Sequence, residues 1–383
     1  MHTNYIQRLS LLLLLVLFSI SIHAQSSIQK LNFDVRNFKK ELSQRDNMVS
    51  IPTAIDSQHD FRISESDVMD DDFKKNYPEI KAYRLLDDFG NYGSLVINDS
   101  KVWITYSIDG QMYAIVPNGS EFELQYGVGE PVPHACSVNE TKSVLGYEFN
   151  PKEFKNLQSN RIIKYTVNTY RVAPVCTGEY YQTKGNNDSD VSASIVSTIA
   201  SIQEIYLREV SIKLTALTPV LYKNPNTDPF TPDTNMGADS RPVQAGKVVK
   251  ANFSLNSYDV GHAFHIHEDG DGWSNGGVAR LACVCQNTEY EGSPLKGQGW
   301  SGAFASTAWW AWISLSAHEF GHMFSATHTF NGTGGSCTDN ISDETAVEIG
   351  SGTTLMSYSG SCDDTQNIPD GPENQYFHSI NLE

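Results

Sequence analysis

Five consecutive residues, His318-Glu319-Phe320-Gly321-His322, restrict the fold of this chain more than any others. Two histidines four positions apart lie on one face of a helix, so their imidazoles can reach a single ion. Neutral imidazole nitrogens ~2.0–2.1 Å from Zn²⁺ fit that pairing. Glu319 stands beside the first histidine, where its carboxylate reaches a water at the metal without serving as a ligand. A third histidine, His328, follows ten residues after His318. On an unbroken helix it would lie ~15 Å further along the axis. The helix must therefore stop after His322, and the chain must turn back, if His328 is to join the pair. Glycine usually makes such a turn because it tolerates positive φ. Here the position is Ser325, so either a neighbour turns the chain or Ser325 is strained.

Composition sets the class. The 383 residues are 39% hydrophobic and 11% aromatic, ample material for packed cores. The 45 acids against 27 bases give a net charge of −18, which argues against nucleic-acid binding, since phosphate recognition needs a basic face. At the start, Arg8 precedes the apolar run Leu11 to Phe18, and small Ala24 precedes Gln25. This order reads as a secretory signal peptide over residues 1–24. The run is shorter than the ~18 residues a membrane span needs, and no later segment is apolar enough. A secreted, extracellular protein without a membrane span is expected, able to form disulfides among its six cysteines.

The rest of the chain divides in two. Gln25 to about Asn91 is polar and charge-mixed, with a helix-like piece from Phe33 to Leu42. From Gly93 the pattern is that of strands: Lys101 to Ser107, then Asp109-Gly110, a strong hairpin signal, then Met112 to Val116 and the alternating Glu121 to Tyr126. An antiparallel meander with one buried face is predicted. Asn150 to Asn160 reads as a linker ending at Arg161. Beyond it, Ile195, Ile199, Ile202 and Ile205 recur at helical spacing, with Asp188, Ser189 or Asp190 available as caps. Strands are expected near Ile163 to Tyr170 and Ser211 to Thr215, a loop over Pro219 to Pro242, and a second long helix from about Thr307 to Phe324.

The stretch from His318 to His328 resembles the metzincin zinc proteases. With Thr327-His328-Thr329-Phe330 after the turn, it resembles their bacterial reprolysin-like subgroup. Gly352-Thr353-Thr354-Leu355-Met356-Ser357-Tyr358 is similar to the clan's Met-turn, and Thr177 to Tyr180 and Tyr258 to His262 are similar to the subgroup. The resemblance covers about Lys164 to the end. Ser325 in place of glycine and Thr329 after the third histidine depart from it.

The resemblance implies an α/β (α+β) catalytic domain over residues 162–383, with a twisted mixed sheet, an antiparallel edge strand and a zinc helix, preceded by a β-rich propeptide over residues 25–161. It implies one catalytic Zn²⁺ on His318, His322 and His328, Glu319 as general base, and Met356 as an apolar floor beneath the metal. It also implies protein or peptide substrates extended along the edge strand, a Cys337–Cys362 disulfide, and the protein's own propeptide as inhibitor. Tyr358 is similar to a tyrosine that could donate a hydrogen bond to the developing oxyanion; a purely structural role is the alternative. Cys136, the one cysteine of the first half, is a candidate latency switch, with a free buried thiol or a bridge to the second half as alternatives.

Other signals compete with these. His262, His265 and His267 precede Glu268-Asp269-Gly270-Asp271-Gly272, a weak hint of Ca²⁺ that lacks the remaining loop ligands, or simply an edge strand and surface loop. Trp309, Trp310 and Trp312 could line a pocket or pack against the sheet. Two functional alternatives stand beside the protease: a zinc protease of another clan, with a distant Glu as third ligand and His328 idle, and an exported binding or adhesion module with a relic zinc site.

Overall fold

Asp109 and Gly110 both adopt positive φ, 50° and 80°, which closes a two-residue turn between β6 (Val102–Ile108) and β7 (Gln111–Asn118). The computed structural model describes residues 27–44, 47–54, 57–126, 166–232, 240–268, 273, 276–368 and 375–382. Around that hairpin stands an eight-stranded antiparallel sheet. Its other strands are β1 (Ser27–Leu31), β2 (Met48–Ala54), β3 (Ser57–Glu65), β4 (Lys81–Leu86), β5 (Tyr92–Ile97) and β8 (Glu121–Tyr126), in the order β1-β8-β7-β6-β5-β4-β3-β2. Helices α1 (Val35–Gln44) and α2 (Asp71–Asn76) interrupt it. Four strands thus lie in the stretch expected to be polar and partly helical. Their apolar residues are too interspersed with polar or charged ones, and in β2 with Pro52, to read as strands alone.

The meander was expected to bury one face, but both are covered. Val102, Ile104 and Tyr106 of β6 join a core of the sheet's own that includes Val35 and Phe38 of α1. The alternate residue Trp103, with Val96, Ala114 and Val116, faces the second unit and shares its core.

That unit begins with β9 (Asn168–Cys176), α3 (Gly178–Thr183), α4 (Asp188–Val210), β10 (Ile212–Ala216) and β11 (Val220–Leu221). It continues with α5 (Arg241–Asn252), β12 (Val260–His267), β13 (Gly276–Ala279), the short pair β14 (Glu289–Tyr290) and β15 (Ser293–Pro294), β16 (Gly299–Phe304) and α6 (Trp309–Met323). The main sheet runs β10-β9-β12-β16-β13, with β11 beside β9; all pair parallel except β13, which lies antiparallel to β16 at the edge. Ala245, Val248 and Val249 of α5 cover one face with Ala263 and Trp300. Helices α4 and α6 cover the other against Phe264 and Ile266. The whole is a mixed α/β fold beside a β-rich unit.

Helix α4 is buried on every side from Asp190 to Tyr206. Its N-cap is Asn187, whose side chain accepts from the Asp190 amide, rather than Asp188, Ser189 or Asp190 as expected. The isoleucines face the mixed sheet. Ser201 and Glu204 meet the first sheet: Ser201 pairs with Ser94 at 2.9 Å, and Arg84 forks onto Glu204 at 2.7 and 2.9 Å. Trp309 donates its indole N–H to Thr105 Oγ1 and Trp312 donates to Thr198 Oγ1, both at 2.9 Å, so these tryptophans pack the interface and core.

Candidate metal centre

Helix α6 carries His318 and His322 side by side, and it ends where the spacing requires. The Ser325 amide donates to His322 O at 3.0 Å and the Ala326 amide to Gly321 O at 2.9 Å, a Schellman closure with Ser325 in the left-handed position at φ 84°. Ser325 itself makes the turn and carries the left-handed strain, the second of the two expected alternatives. The chain then doubles back and delivers His328 to the pair.

The three Nε2 atoms lie 3.0 Å (His318–His322), 3.1 Å (His322–His328) and 3.2 Å (His318–His328) apart, and all three rings are buried. Each ring donates its Nδ1–H to a backbone carbonyl: His318 to Leu355 at 2.8 Å, His322 to Ala326 at 2.9 Å, His328 to Asn340 at 2.7 Å. A neutral imidazole has one N–H, so spending it at Nδ1 leaves a lone pair on Nε2. Burial pushes the His322 pKa down to about 4, which keeps that ring neutral. Three lone pairs thus converge, an arrangement that repels itself unless a cation draws them together. Ligands ~2.0–2.1 Å from one ion lie at most ~4.2 Å apart, so the residues fit zinc with a position left open. Among the described residues these are the one group of three or more His, Cys, Asp or Glu whose donor atoms lie within 4.8 Å of one another.

The surroundings hold the rings in place. Tyr206 of α4 donates to Ala317 O at 2.8 Å, just before the first histidine. Met356 is fully buried under the helix: a Cβ on Gly321 would come 2.5 Å from its Sδ, so glycine at that position lets the Met-turn press against α6. The ring of Tyr358 packs on His328 at 4.7 Å and His318 at 5.9 Å between centroids. The Cys337–Cys362 disulfide ties down the loop that runs from Asn340 to the Met-turn.

Glu319 is fully buried on the same helix, and its carboxyl lies against the edge strand. A Cβ on Gly277 of β13 would come 2.2 Å from Glu319 Cδ and Oε1. Gly277 is a site residue that the sequence alone did not single out; its signal is the Gly276-Gly277 pair in a strand. Beyond it, the outer edge of β13 pairs with no strand among the described residues.

The sequence matches the Metallo-peptidase family M12B Reprolysin-like over residues 166–380. The chain belongs to that family. Reprolysin-like peptidases hydrolyse peptide bonds and depend on a metal, and a buried histidine triad with converging donor atoms is present here. Among solved structures, metalloproteinase-II from Bacteroides fragilis is similar at a TM-score of 0.49 and 10% identity, covering 91% of this chain and 94% of that one. No match was found among curated proteins.

Within this reprolysin-like chain the second histidine group is not part of the centre. β12 lies between β9 and β16 rather than at an edge, so His262, His265 and His267 are interior. His262 stacks on Phe320 at 4.6 Å and pairs with Ser301 Oγ at 2.8 Å; burial pushes its pKa down to about 3. His265, on the opposite face, pairs through Nδ1 with Thr177 Oγ1 at 2.9 Å. Residues 269–272, the weak calcium signal, lie outside the described residues, as do Cys136, the linker and residues 1–24. Among the described residues, no helix is long and apolar enough to cross a membrane.

Proposed function

We propose that this metallopeptidase is a secreted zinc-dependent endopeptidase made as a zymogen. The observation that carries the reading is the convergence of three Nε2 atoms whose Nδ1 hydrogens are all spent on backbone carbonyls. His318, His322 and His328 would hold the ion. When bound, zinc supplies Lewis acidity that acidifies water and polarises a carbonyl. Glu319 takes the proton of the attacking water and returns it to the leaving amine as the peptide bond breaks. Tyr358 donates a hydrogen bond to the oxyanion, and Met356 floors the site. The outer edge of β13, unpaired among the described residues, pairs with an extended substrate and brings a peptide backbone past Glu319. Residues 1–24 direct export and residues 25–161 form the propeptide, with Cys136 as the group that silences the site.

His328 standing within the triad, with no described Asp or Glu in its place, favours three histidines over a glutamate third ligand. The retained Glu319 favours turnover over a relic site. The test is a casein digest with the processed enzyme, with and without chelator, beside Glu319→Ala. Chelator should abolish cleavage and zinc restore it. Glu319→Ala should bind one zinc and cut at least 10²-fold more slowly. Chelator-insensitive cleavage, or a fully active Glu319→Ala enzyme, sinks the reading.

A further inference from the structure

The Glu348 carboxylate sits between the third ligand and the turn that orients the first. Its Oε1 accepts from the hydroxyls of Thr329 and Thr354, and its Oε2 accepts from the amides of Thr353 and Thr354 at 2.8 and 3.2 Å. Thr329 directly follows His328. Thr354 directly precedes Leu355, whose carbonyl receives His318 Nδ1–H. The backbone adds to the clamp: the Glu348 amide donates to Thr329 O at 2.7 Å, and the Thr329 amide to Met356 O at 3.2 Å. Gly352, at φ 67°, leaves the room this needs, since a Cβ there would come 3.0 Å from Glu348 Oε2.

A single carboxylate thus takes four donors from two segments that each carry one end of the metal centre. Hydrogen bonds to a charged acceptor are the strong ones, and partners that orient metal ligands govern affinity nearly as the ligands do. We infer that Glu348 is a positioning residue of the metal centre: it locks the segment of His328 to the Met-turn and so fixes where the His318 and His328 nitrogens point. The inference deepens the zinc reading above and rests on it.

The experiment measures zinc affinity of the full chain by chelator competition, together with the visible absorption of the Co²⁺-substituted protein. Glu348→Ala should bind zinc about 10–100-fold more weakly and shift the Co²⁺ bands. Thr329→Val, which removes one donor, should change both in the same direction by less, and Thr329→Ser should restore both. Glu344→Ala, an exposed acid on the same loop, should match wild type. If Glu348→Ala does not fold, the contrast between Thr329→Val and Thr329→Ser decides. Glu348→Ala or Thr329→Val with wild-type zinc affinity and unchanged Co²⁺ bands overturns the inference while the zinc reading survives. A wild-type chain that binds no zinc overturns both, so the two failures are distinct.

Discussion

The carboxyl group of Glu319 occupies the space in which a side chain on Gly277 would stand: a Cβ there would come 2.2 Å from Glu319 Oε1. Helix α6 and edge strand β13 therefore fit together only because residue 277 has no side chain. Gly277→Ala must displace either the strand or the proposed base. We expect kcat to fall about 10²-fold, the cost of misplacing a reacting group by about 1 Å. Zinc content should stay at one per chain, since no ligand moves. Single-turnover kinetics with metal analysis would check this; a wild-type kcat would mean that Glu319 has another position in the working enzyme.

Much of this centre was legible because a helix has a fixed pitch. His318 and His322 share a face by spacing alone, and the place where the helix must break follows from His328. What stayed hidden depends on segments distant in sequence. Nothing near His318 announces that its Nδ1–H donates to the Leu355 carbonyl, and nothing near Thr329 announces Glu348. In the fold, the strongest local signals held: the Asp109-Gly110 turn and the long helices. Strands β1 to β4 were missed because charged or polar residues interrupt their apolar ones and Pro52 stands within β2. The polar face of α4 gave no sign of its burial against the first sheet, because short polar side chains suit water as well as a polar interface. The histidines of β12 read as an edge because their pairing with β9 and β16 is set by register, which one strand cannot reveal.

Ser325 is exposed and sits at φ 84°, where a residue with a Cβ costs ~1–2 kcal/mol. Glycine removes that cost but adds ~0.5–1 kcal/mol of backbone entropy lost on folding. Ser325→Gly should therefore stabilise the protein by roughly 0.5–1 kcal/mol, raising Tm by about 1–3 °C. Zinc affinity should be unchanged, because the turn already has its final shape. Ser325→Val, branched at Cβ, should lower Tm and weaken zinc, since His328 enters through this turn. Differential scanning calorimetry of both variants tests the assignment, and a Ser325→Gly protein less stable than wild type would contradict it.

The last prediction concerns the joint between the two units. Removing the first sheet would expose Trp309 and a full face of α4, leaving Glu204 without Arg84 and Asp190 without Asn98 and Lys101. Burial raises the Glu204 pKa against the pull of Arg84, so its charge is tolerable only while that partner is present. Cutting the chain at a protease site engineered within residues 127–165 should accordingly leave two fragments that co-elute on size exclusion and part only in denaturant. Arg84→Glu, which sets two acids face to face, should make the cut fragments separate and the peptidase half aggregate. The first sheet would then stay docked after the cut, as a wall against α4 and Trp309. Recovery of residues 166–383 alone as a soluble, cooperatively melting and fully active monomer would show that this wall is dispensable.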